Sequence, residues 1–288
     1  MFTMIKKFIL ITLVVAGLYG YHNYGDDRSD SLPSVAPREK ITQETDESLI
    51  RAKNYALGLL PARESWPEPV QIMYHMIFME ETINPIRARK DYLPLESLSM
   101  NLQHAIIAIE DHDFYTHSAI SMDGIVRAMM INSSAGEILQ GGSTITQQLV
   151  KNLFLSNEQT MSRKVLEAML AFVMESKYSK DDILELYLNS TYFGMDCYGA
   201  NRACENLFNK APIIMKLEEA ALLAGLPNSP STLNPYKNPQ GAKKRQERVL
   251  DAMQNYGFIT QNQCWKAKSA DVYLRNGAVI SHQDNMVL

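Results

Sequence analysis

The sequence predicts a mainly α-helical protein preceded by one apolar segment at its N-terminus. From Leu95 onward, apolar residues recur at helical spacing and short polar connections separate them. Ser, Thr or Asp residues that can act as N-caps precede several of these stretches. At 288 residues and 46% hydrophobic, the chain can bury a full core, which we expect to form one domain with lobes.

The apolar N-terminal segment is typical of a membrane anchor. Lys6-Lys7 precedes Phe8–Tyr21, which is nearly all apolar, and the flanking residues can extend it toward the length of a span. A cleaved signal peptide is the alternative, but no clear small-x-small cleavage site follows. We therefore predict an uncleaved transmembrane signal-anchor over residues 1–24, with the lysine pair on the cytoplasmic side. Residues 25–47 are polar, and we predict a linker or stalk over residues 25–69.

Composition excludes two classes of partner. The net charge of −4 and the pI near 5.9 give no bulk basic character, so nucleic acid is not expected as a ligand. The three cysteines, Cys197, Cys204 and Cys264, show no metal-ligand spacing with one another or with the six histidines. No Cys/His metal site is therefore predicted.

A pair of carboxylates ends the apolar run Ala105–Ile109. Glu110 lies where that run stops, and a carboxylate at an apolar boundary is partly desolvated, which suits it to exchange protons near neutral pH. The alternative is that Glu110 and Asp111 only mark a helix end that turns to solvent. Phe114 and His117 follow directly, which favours a functional cluster over that alternative.

A glycine turn then leads into an amphipathic helix. Gly141-Gly142 frees the backbone, and Ser143 or Thr144 can act as the N-cap. The polar face of this helix carries Thr144, Gln147, Gln148 and Lys151, opposite an apolar stripe that begins at Ile145. This face could bind a ligand or could be an ordinary solvated face, and periodicity does not separate the two.

Two cations occupy the first turn of the following predicted helix. With Ser162 as the expected N-cap, Arg163 and Lys164 face the positive end of the helix dipole, which costs about 0.3–1 kcal/mol each. Glu167 recovers about 0.2–0.5 kcal/mol by pairing with one of them. This unfavourable balance predicts that an anion binds there. Further along, we interpret Ser179 as another N-cap, and Lys243-Lys244-Arg245 with Arg248 as a solvated helix face.

These segments together resemble the bacterial peptidoglycan glycosyltransferases, or cell-wall transglycosylases. The similarity covers about Tyr92 to Phe258, and five ordered motifs at similar spacing make it specific. The motifs are Glu110-Asp111-x-x-Phe114-x-x-His117, Gly142-Ser143-Thr144-Ile145-Thr146-Gln147-Gln148-Leu149-Val150-Lys151-Asn152, Arg163-Lys164-x-x-Glu167, Ser179–Asn189 and Glu219–Pro230. No Ser-x-x-Lys transpeptidase motif follows, so we expect the monofunctional form.

The resemblance implies a fold, a domain plan and a location. The fold would be a lysozyme-like helical catalytic lobe with a smaller membrane-facing jaw lobe. The glycosyltransferase domain would span residues 70–270, and residues 271–288 would form a C-terminal tail. The catalytic domain would lie on the periplasmic side of the bacterial inner membrane.

The resemblance also implies a reaction. The enzyme would polymerise lipid II into glycan strands, with undecaprenyl pyrophosphate as the leaving group. Lipid II, the growing strand, the inner membrane and other cell-wall synthesis proteins would be its partners. A divalent cation, Mg²⁺ or Mn²⁺, would assist, although nothing in the spacing identifies its ligands, and no organic cofactor is expected.

Site roles follow from the same resemblance. Glu110 would be the general base and Glu167 the second catalytic residue, which orients the cations or helps hold the metal ion. The residues expected to bind substrate are Asp111, Phe114, His117, Ser143, Thr144, Gln147, Gln148, Lys151, Asn152, Arg163 and Lys164.

Two departures from the family pattern and two alternative functions stay open. Gln159 stands where the family often has Arg, and Ala119 where it usually has Gly, so activity could be weakened if position 119 needs a positive φ. A lysozyme-like hydrolase is one alternative, but cleavage of a neutral polymer gives no reason for Lys151 with Arg163-Lys164. An inactive scaffold for cell-wall partners is the other.

Overall fold

The computed structural model describes residues 66, 68–122, 124, 142–155 and 160–281. The chain divides into two compact units, residues 1–71 and 72–288. The predicted transmembrane segment, nearly all of the predicted linker, position 159 and most of the segment between Met122 and Gly141 lie outside the described residues. Among the helices that the structure does describe, none is both long enough and apolar enough to cross a membrane.

Helices dominate the described chain, which confirms the predicted mainly α fold class. In chain order they are α1 (Glu68–Ile77), α2 (Glu80–Arg87), α3 (Met100–Glu110), α4 (Ile145–Phe154), α5 (Met161–Lys177), α6 (Lys180–Ser190), α7 (Ala200–Phe208), α8 (Leu217–Gly225), α9 (Pro239–Asn255) and α10 (Gln261–Ser269). Short 3₁₀ turns lie at Leu95–Ser97, Pro212–Ile214 and Leu226–Asn228. Two short strands, β1 (Val272–Tyr273) and β2 (Val279–Ile280), pair antiparallel.

Side-chain caps begin the helices that carry the predicted motifs. Thr144 caps α4, and its hydroxyl and the Gln147 side chain form a reciprocal capping box. Ser179 caps α6 in the same way with Asp182. Helix α5 begins after Thr160, whose hydroxyl accepts a hydrogen bond from the Arg163 backbone N–H, so the expected cap at Ser162 was wrong.

The largest part of the core lies between α3, α8 and α9, which pack against one another. Helix α8 is buried from Glu219 to Gly225, because its Ala and Leu side chains face both neighbours. Gly225 allows α9 to approach closely, since a Cβ at this position would lie 2.8 Å from Cγ of Arg245. This close approach places Arg245 beside the C-terminal ends of α3 and α8, where Glu110 and Gly225 lie.

A second group of helices consists of α4, α5 and α6, which also pack against one another. Leu149 of α4, Leu170 of α5 and Ile183 of α6 are fully buried between them. Tyr187 of α6 is buried as well, and its hydroxyl reaches Gln148 of α4. Because Gln148 in turn contacts Glu110, the two groups of helices meet at the end of α3.

The described part of the predicted tail over residues 271–288, which ends at Ser281, packs against the domain. Val272, Leu274 and Ile280 are buried, and β2 packs against α9. The strands are joined through Asn276-Gly277, where Gly277 has φ of +84°. An Asn-Gly pair is a strong hairpin signal, because both residues tolerate the left-handed region, and the sequence interpretation overlooked it.

Ala119 is not strained. The described non-glycine residues with positive φ are Met195, Asp196 and Asn209, and Ala119 is not among them. Its side chain is fully buried, and its carbonyl accepts a hydrogen bond of 2.8 Å from the Thr144 hydroxyl. The replacement of the family glycine therefore costs no backbone strain here.

The buried pair of Asp111 and His117 connects α3 to α4. One carboxylate oxygen of Asp111 lies 2.6 Å from Nε2 of His117, and the other accepts a 3.0 Å hydrogen bond from the Ile145 backbone N–H. Nδ1 of His117 contacts the Ser118 carbonyl, so both ring nitrogens face acceptors and the charged imidazolium satisfies both. Burial by itself lowers the pKa of His117, but the hydrogen bonds to Asp111 and Ser118 outweigh it and leave the pKa raised.

We expect Asp111→Asn to lower the free energy of unfolding by about 1–3 kcal/mol near pH 6, because a buried imidazolium loses its acceptor. A group whose pKa is raised on folding stabilises fully only below its unfolded pKa of about 6.5, and that contribution is lost as pH rises through the folded pKa. The difference between wild type and variant should therefore shrink at alkaline pH. Urea unfolding of both proteins near pH 6 and near pH 9 measures this change.

Asp113→Asn is the matched control for this test. Asp113 lies two residues further along the same turn, and its side chain is 44% exposed and paired with His112. An exposed pair of this kind contributes about 0–1 kcal/mol. An equal loss in both variants, or a loss in Asp111→Asn that does not change with pH, would contradict the assignment.

Candidate active site

Glu110 lies at the C-terminal end of α3 and opens into a cleft of about 450 Å³. The cleft is bounded on one side by α4 and the residue that precedes its cap, and on the other by α9 and the turn at Pro227. Its polar lining residues are Glu110, Ser143, Gln148, Lys151, Asn228, Arg245, Arg248, Asp251, Asn255 and Tyr256. The structure thus brings four of the predicted site residues, Glu110, Ser143, Gln148 and Lys151, to one cleft.

One oxygen of Glu110 is fixed by a chain of hydrogen bonds. Nε2 of Gln148 donates to Oε2 of Glu110 at 2.8 Å, and the Tyr187 hydroxyl donates to Oε1 of Gln148 at 3.1 Å. Burial, assisted by the nearby charge of Glu110, raises the pKa of Tyr187 well above its usual value, so its hydroxyl keeps its proton. The amide of Gln148 is therefore held in one orientation at both ends.

The other oxygen of Glu110 makes no hydrogen bond to the described residues. Nη2 of Arg245 lies 3.7 Å from this Oε1 atom, which is an ion-pair distance but too long for a hydrogen bond. The Glu110 and Arg245 side chains are only 13% and 11% exposed. Burial lowers the pKa of Arg245 while Glu110 opposes that effect, and a guanidinium remains charged in this range. Oε1 is thus a buried carboxylate oxygen that no described residue supplies with a hydrogen bond.

Arg245 is the residue in contact with Glu110 that the sequence analysis missed. Interpreting residues 243–245 as a solvated face was wrong for two of them, because Lys243 is also buried and donates to the Lys268 carbonyl at 2.6 Å. The available signal was helical spacing. Arg245 lies three residues after Ala242 and four before Val249, both buried, so it shares the inward face of α9.

On the opposite side, Lys151 lines the cleft, and Lys164 lies behind it in contact with the lining residue Ser143. Lys151 is exposed, lines the cleft and makes no ion pair or hydrogen bond to another described side chain. Nζ of Lys164 donates to the Ser143 hydroxyl at 2.8 Å and pairs with the buried carboxylate of Glu167. Glu167 and Ser143 therefore hold Lys164 in place, and Ser143 connects Lys164 to the cleft.

The remaining predicted site residues do not line this cleft. Phe114, Thr144 and Gln147 are almost fully buried, and the polar groups of Thr144 and Gln147 are used in the α4 cap. Arg163 is buried in the first turn of α5, and Asn152 is exposed on α4. Asp111 and His117 bind one another and the start of α4. In this structure the buried side chains among them support the site, and the substrate-binding roles of all these residues stay predictions.

The described carboxylates do not form a metal site of their own. Within residues 68–122, 142–155 and 160–281, no group of three or more His, Cys, Asp or Glu side chains is placed to hold a metal ion. The carboxylate of Glu167 is already occupied by Lys164. A role for Glu167 in holding a divalent cation is therefore not supported by the donors around it.

Comparison with known proteins identifies the domain. The family model described as Transglycosylase matches residues 79–254, more than half of the chain. Penicillin-binding protein 1A of Rickettsia bellii is 40% identical over 190 residues, which are 65% of this chain and 24% of that protein. The Aquifex aeolicus protein of the same name is 43% identical over 175 residues, 61% of this chain and 24% of its own length. Penicillin-binding protein 1A/1B of Bacillus subtilis is 41% identical over 197 residues, 68% of this chain and 21% of that protein.

The chain thus spans about a quarter of the length of these curated relatives. The crystal structure of penicillin-binding protein 1A from Haemophilus influenzae matches 45% of this chain and 16% of that chain, at 25% identity and a TM-score of 0.33. Glu110, Lys151 and Arg245 all lie within the residues that the family model matches. The chain belongs to the transglycosylase family.

Proposed function

We propose that this protein is a peptidoglycan glycosyltransferase that polymerises lipid II into glycan strands, with Glu110 as the general base. The observation that carries the proposal is the arrangement around Glu110. One of its oxygens is held by Gln148, and the other has no hydrogen-bond donor among the described residues. Lys151, which pairs with no described carboxylate, lines the same cleft. A base and a positive charge in one cleft suit the transfer of a sugar from a phosphate leaving group.

The free oxygen of Glu110 would receive the proton of the acceptor. In the proposed reaction, the 4-hydroxyl of lipid II attacks the anomeric carbon of the growing strand, and its proton passes to Oε1 of Glu110. A new carbon–oxygen bond forms as the bond to the diphosphate breaks, with inversion at the anomeric carbon. The hydrogen bonds from Gln148 and Tyr187 keep the carboxylate in position while this occurs. Such a base contributes about 10²–10⁴-fold to the rate.

The cations on the α4 side would stabilise the departing undecaprenyl pyrophosphate. Lys151 carries a charge that no described carboxylate offsets, so it is available to a phosphate. Lys164 is already oriented by Glu167 and Ser143, so it needs little reorganisation when charge develops. Lys151 would therefore act through its charge, and Lys164 would act as a hydrogen-bond donor that the protein holds in place.

The proposed substrate implies a membrane surface. Residues 1–24 would anchor the chain in the inner membrane, and the catalytic domain would act on the periplasmic side, where a lipid-linked substrate can reach the cleft. The composition of residues 1–24 supports the anchor.

Glu110→Gln is expected to lower the polymerisation rate by about 10²–10⁴-fold while lipid II binding persists, because the amide cannot take up a proton but the cations remain. Purified lipid II, separation of the glycan products by length, and a direct binding measurement test both parts. Glu96→Gln is the control, since Glu96 is exposed and lies outside the cleft. Release of fragments from finished peptidoglycan, with no polymer from lipid II, would identify a hydrolase. Unchanged polymerisation by Glu110→Gln would remove Glu110 as the base.

Lys151→Gln is expected to lower kcat by about 10²–10³-fold with little change in thermal stability, because an exposed cation is lost and no buried partner is left behind. Lys90→Gln, also exposed but outside the cleft, is the matched control. The same lipid II assay with melting curves of all three proteins measures the effect. Wild-type kinetics for Lys151→Gln would rule out its role at the leaving group.

The family resemblance predicts that chelation by EDTA slows polymerisation and that Mg²⁺ or Mn²⁺ restores it. The described carboxylates offer no site that holds the ion without the substrate, so we assign no residue as its ligand. Titrating the polymerisation rate with each ion after exhaustive chelation measures the dependence. A rate that EDTA does not alter would remove the expected cofactor.

A further inference from the structure

The α9 side of the cleft is a continuous polar surface that the proposed reaction does not use. Arg245, Arg248, Asp251 and Asn255 recur every three or four residues, so they form one stripe of the helix, and Tyr256 follows at its end. At about 1.5 Å per residue, this stripe extends roughly 15 Å from the contact with Glu110. It provides binding surface beyond the reacting atoms.

Arg248 is the unneutralised charge on this stripe. Arg245 faces Glu110, and Asp251 forms an ion pair with Lys268 at 2.5 Å. Arg248 is exposed, lines the cleft, and has no carboxylate within ion-pair distance among the residues that the structure describes. Its positive charge is therefore available to an anion that enters the cleft.

The end of the stripe adds an aromatic surface. The rings of Tyr256 and His112 stack with their centroids 3.7 Å apart and an interplanar angle of 17°. His112 lies two residues after Glu110, so the stack joins the turn after α3 to the end of α9. Tyr256 remains 38% exposed, and Asn255 beside it presents an amide that can donate or accept hydrogen bonds. The guanidinium of Arg248, the amide of Asn255 and the ring of Tyr256 together suit a polar organic ligand that carries a carboxylate.

We propose that Arg248, with Asn255 and Tyr256, forms a subsite for a carboxylate of the peptide attached to the sugar substrate. This inference rests on the proposed function, because its substrate, lipid II, is a disaccharide-peptide carried on undecaprenyl pyrophosphate. A guanidinium matches the two oxygens of a carboxylate with parallel hydrogen bonds. A diphosphate requires more positive charge, and the cations suited to it, Lys151 and Lys164, lie on the α4 side. Arg248 is thus a specificity-determining residue and not part of the leaving-group site.

The test compares two synthetic lipid II substrates, one with free peptide carboxylates and one with all of them amidated. For the wild type we expect a lower KM with the free acid. Arg248→Gln should raise the KM for the free-acid substrate about 10-fold with kcat nearly unchanged, and should leave the KM for the amidated substrate as it was. Arg248→Lys should recover part of the preference, because it restores the charge without the planar fork.

Lys244→Gln is the matched control, since Lys244 is an exposed cation on the same helix that does not line this cleft. It should leave the KM for both substrates unchanged. A general disturbance of α9 would change the KM for both substrates equally. An equal change of the two KM values in Arg248→Gln would therefore overturn the subsite. So would equal KM values for the two substrates in the wild type. If the wild type forms polymer from neither substrate, that result would overturn the proposed function, and the subsite with it.

Discussion

The hydrogen bond from Gln148 to Glu110 is the contact on which the geometry of the cleft depends. It joins α3, from the group packed with α8 and α9, to α4, from the group packed with α5 and α6. The same amide accepts from Tyr187, whose side chain is 1% exposed. Rotation of the amide would leave that buried hydroxyl without an acceptor, which costs about 1–3 kcal/mol. The orientation of Gln148, and hence the choice of which Glu110 oxygen stays free, is set by the core.

The charges around the cleft fall into two classes. Arg245 and Lys164 each face a carboxylate, Glu110 and Glu167 respectively, so their positions are held by the protein. Lys151 and Arg248 have no such partner among the described residues, and they lie on opposite sides of the cleft. Cations that are already paired keep the site in shape, whereas unpaired cations gain most from a ligand anion. The division explains how one cleft can be rigid and still bind a negatively charged substrate.

Local sequence signals predicted the parts of this structure that depend on neighbouring residues. The mainly helical fold and the caps at Thr144 and Ser179 follow from capping and apolar spacing within a few residues. The contact between Arg245 and Glu110 could not be found this way, because it depends on how closely α9 approaches α3 past Gly225. The folding of residues 272–280 onto α9 is also a distant contact, although its Asn-Gly turn was visible in the sequence.

The first turn of α5 carries two cations, Arg163 and Lys164, at the positive end of the helix dipole. Two cations at a helix N-terminus are unfavourable, and the sequence analysis inferred an external anion to offset them. The structure supplies part of that anion internally, since Glu167 pairs with Lys164 from within the same helix. An ion pair with a buried carboxylate removes much of the need for an outside ligand at Lys164. Lys151 on α4, whose charge nothing in the described chain offsets, would therefore gain most from a substrate phosphate, and Lys164 would act beside it as a donor that the protein already holds in place.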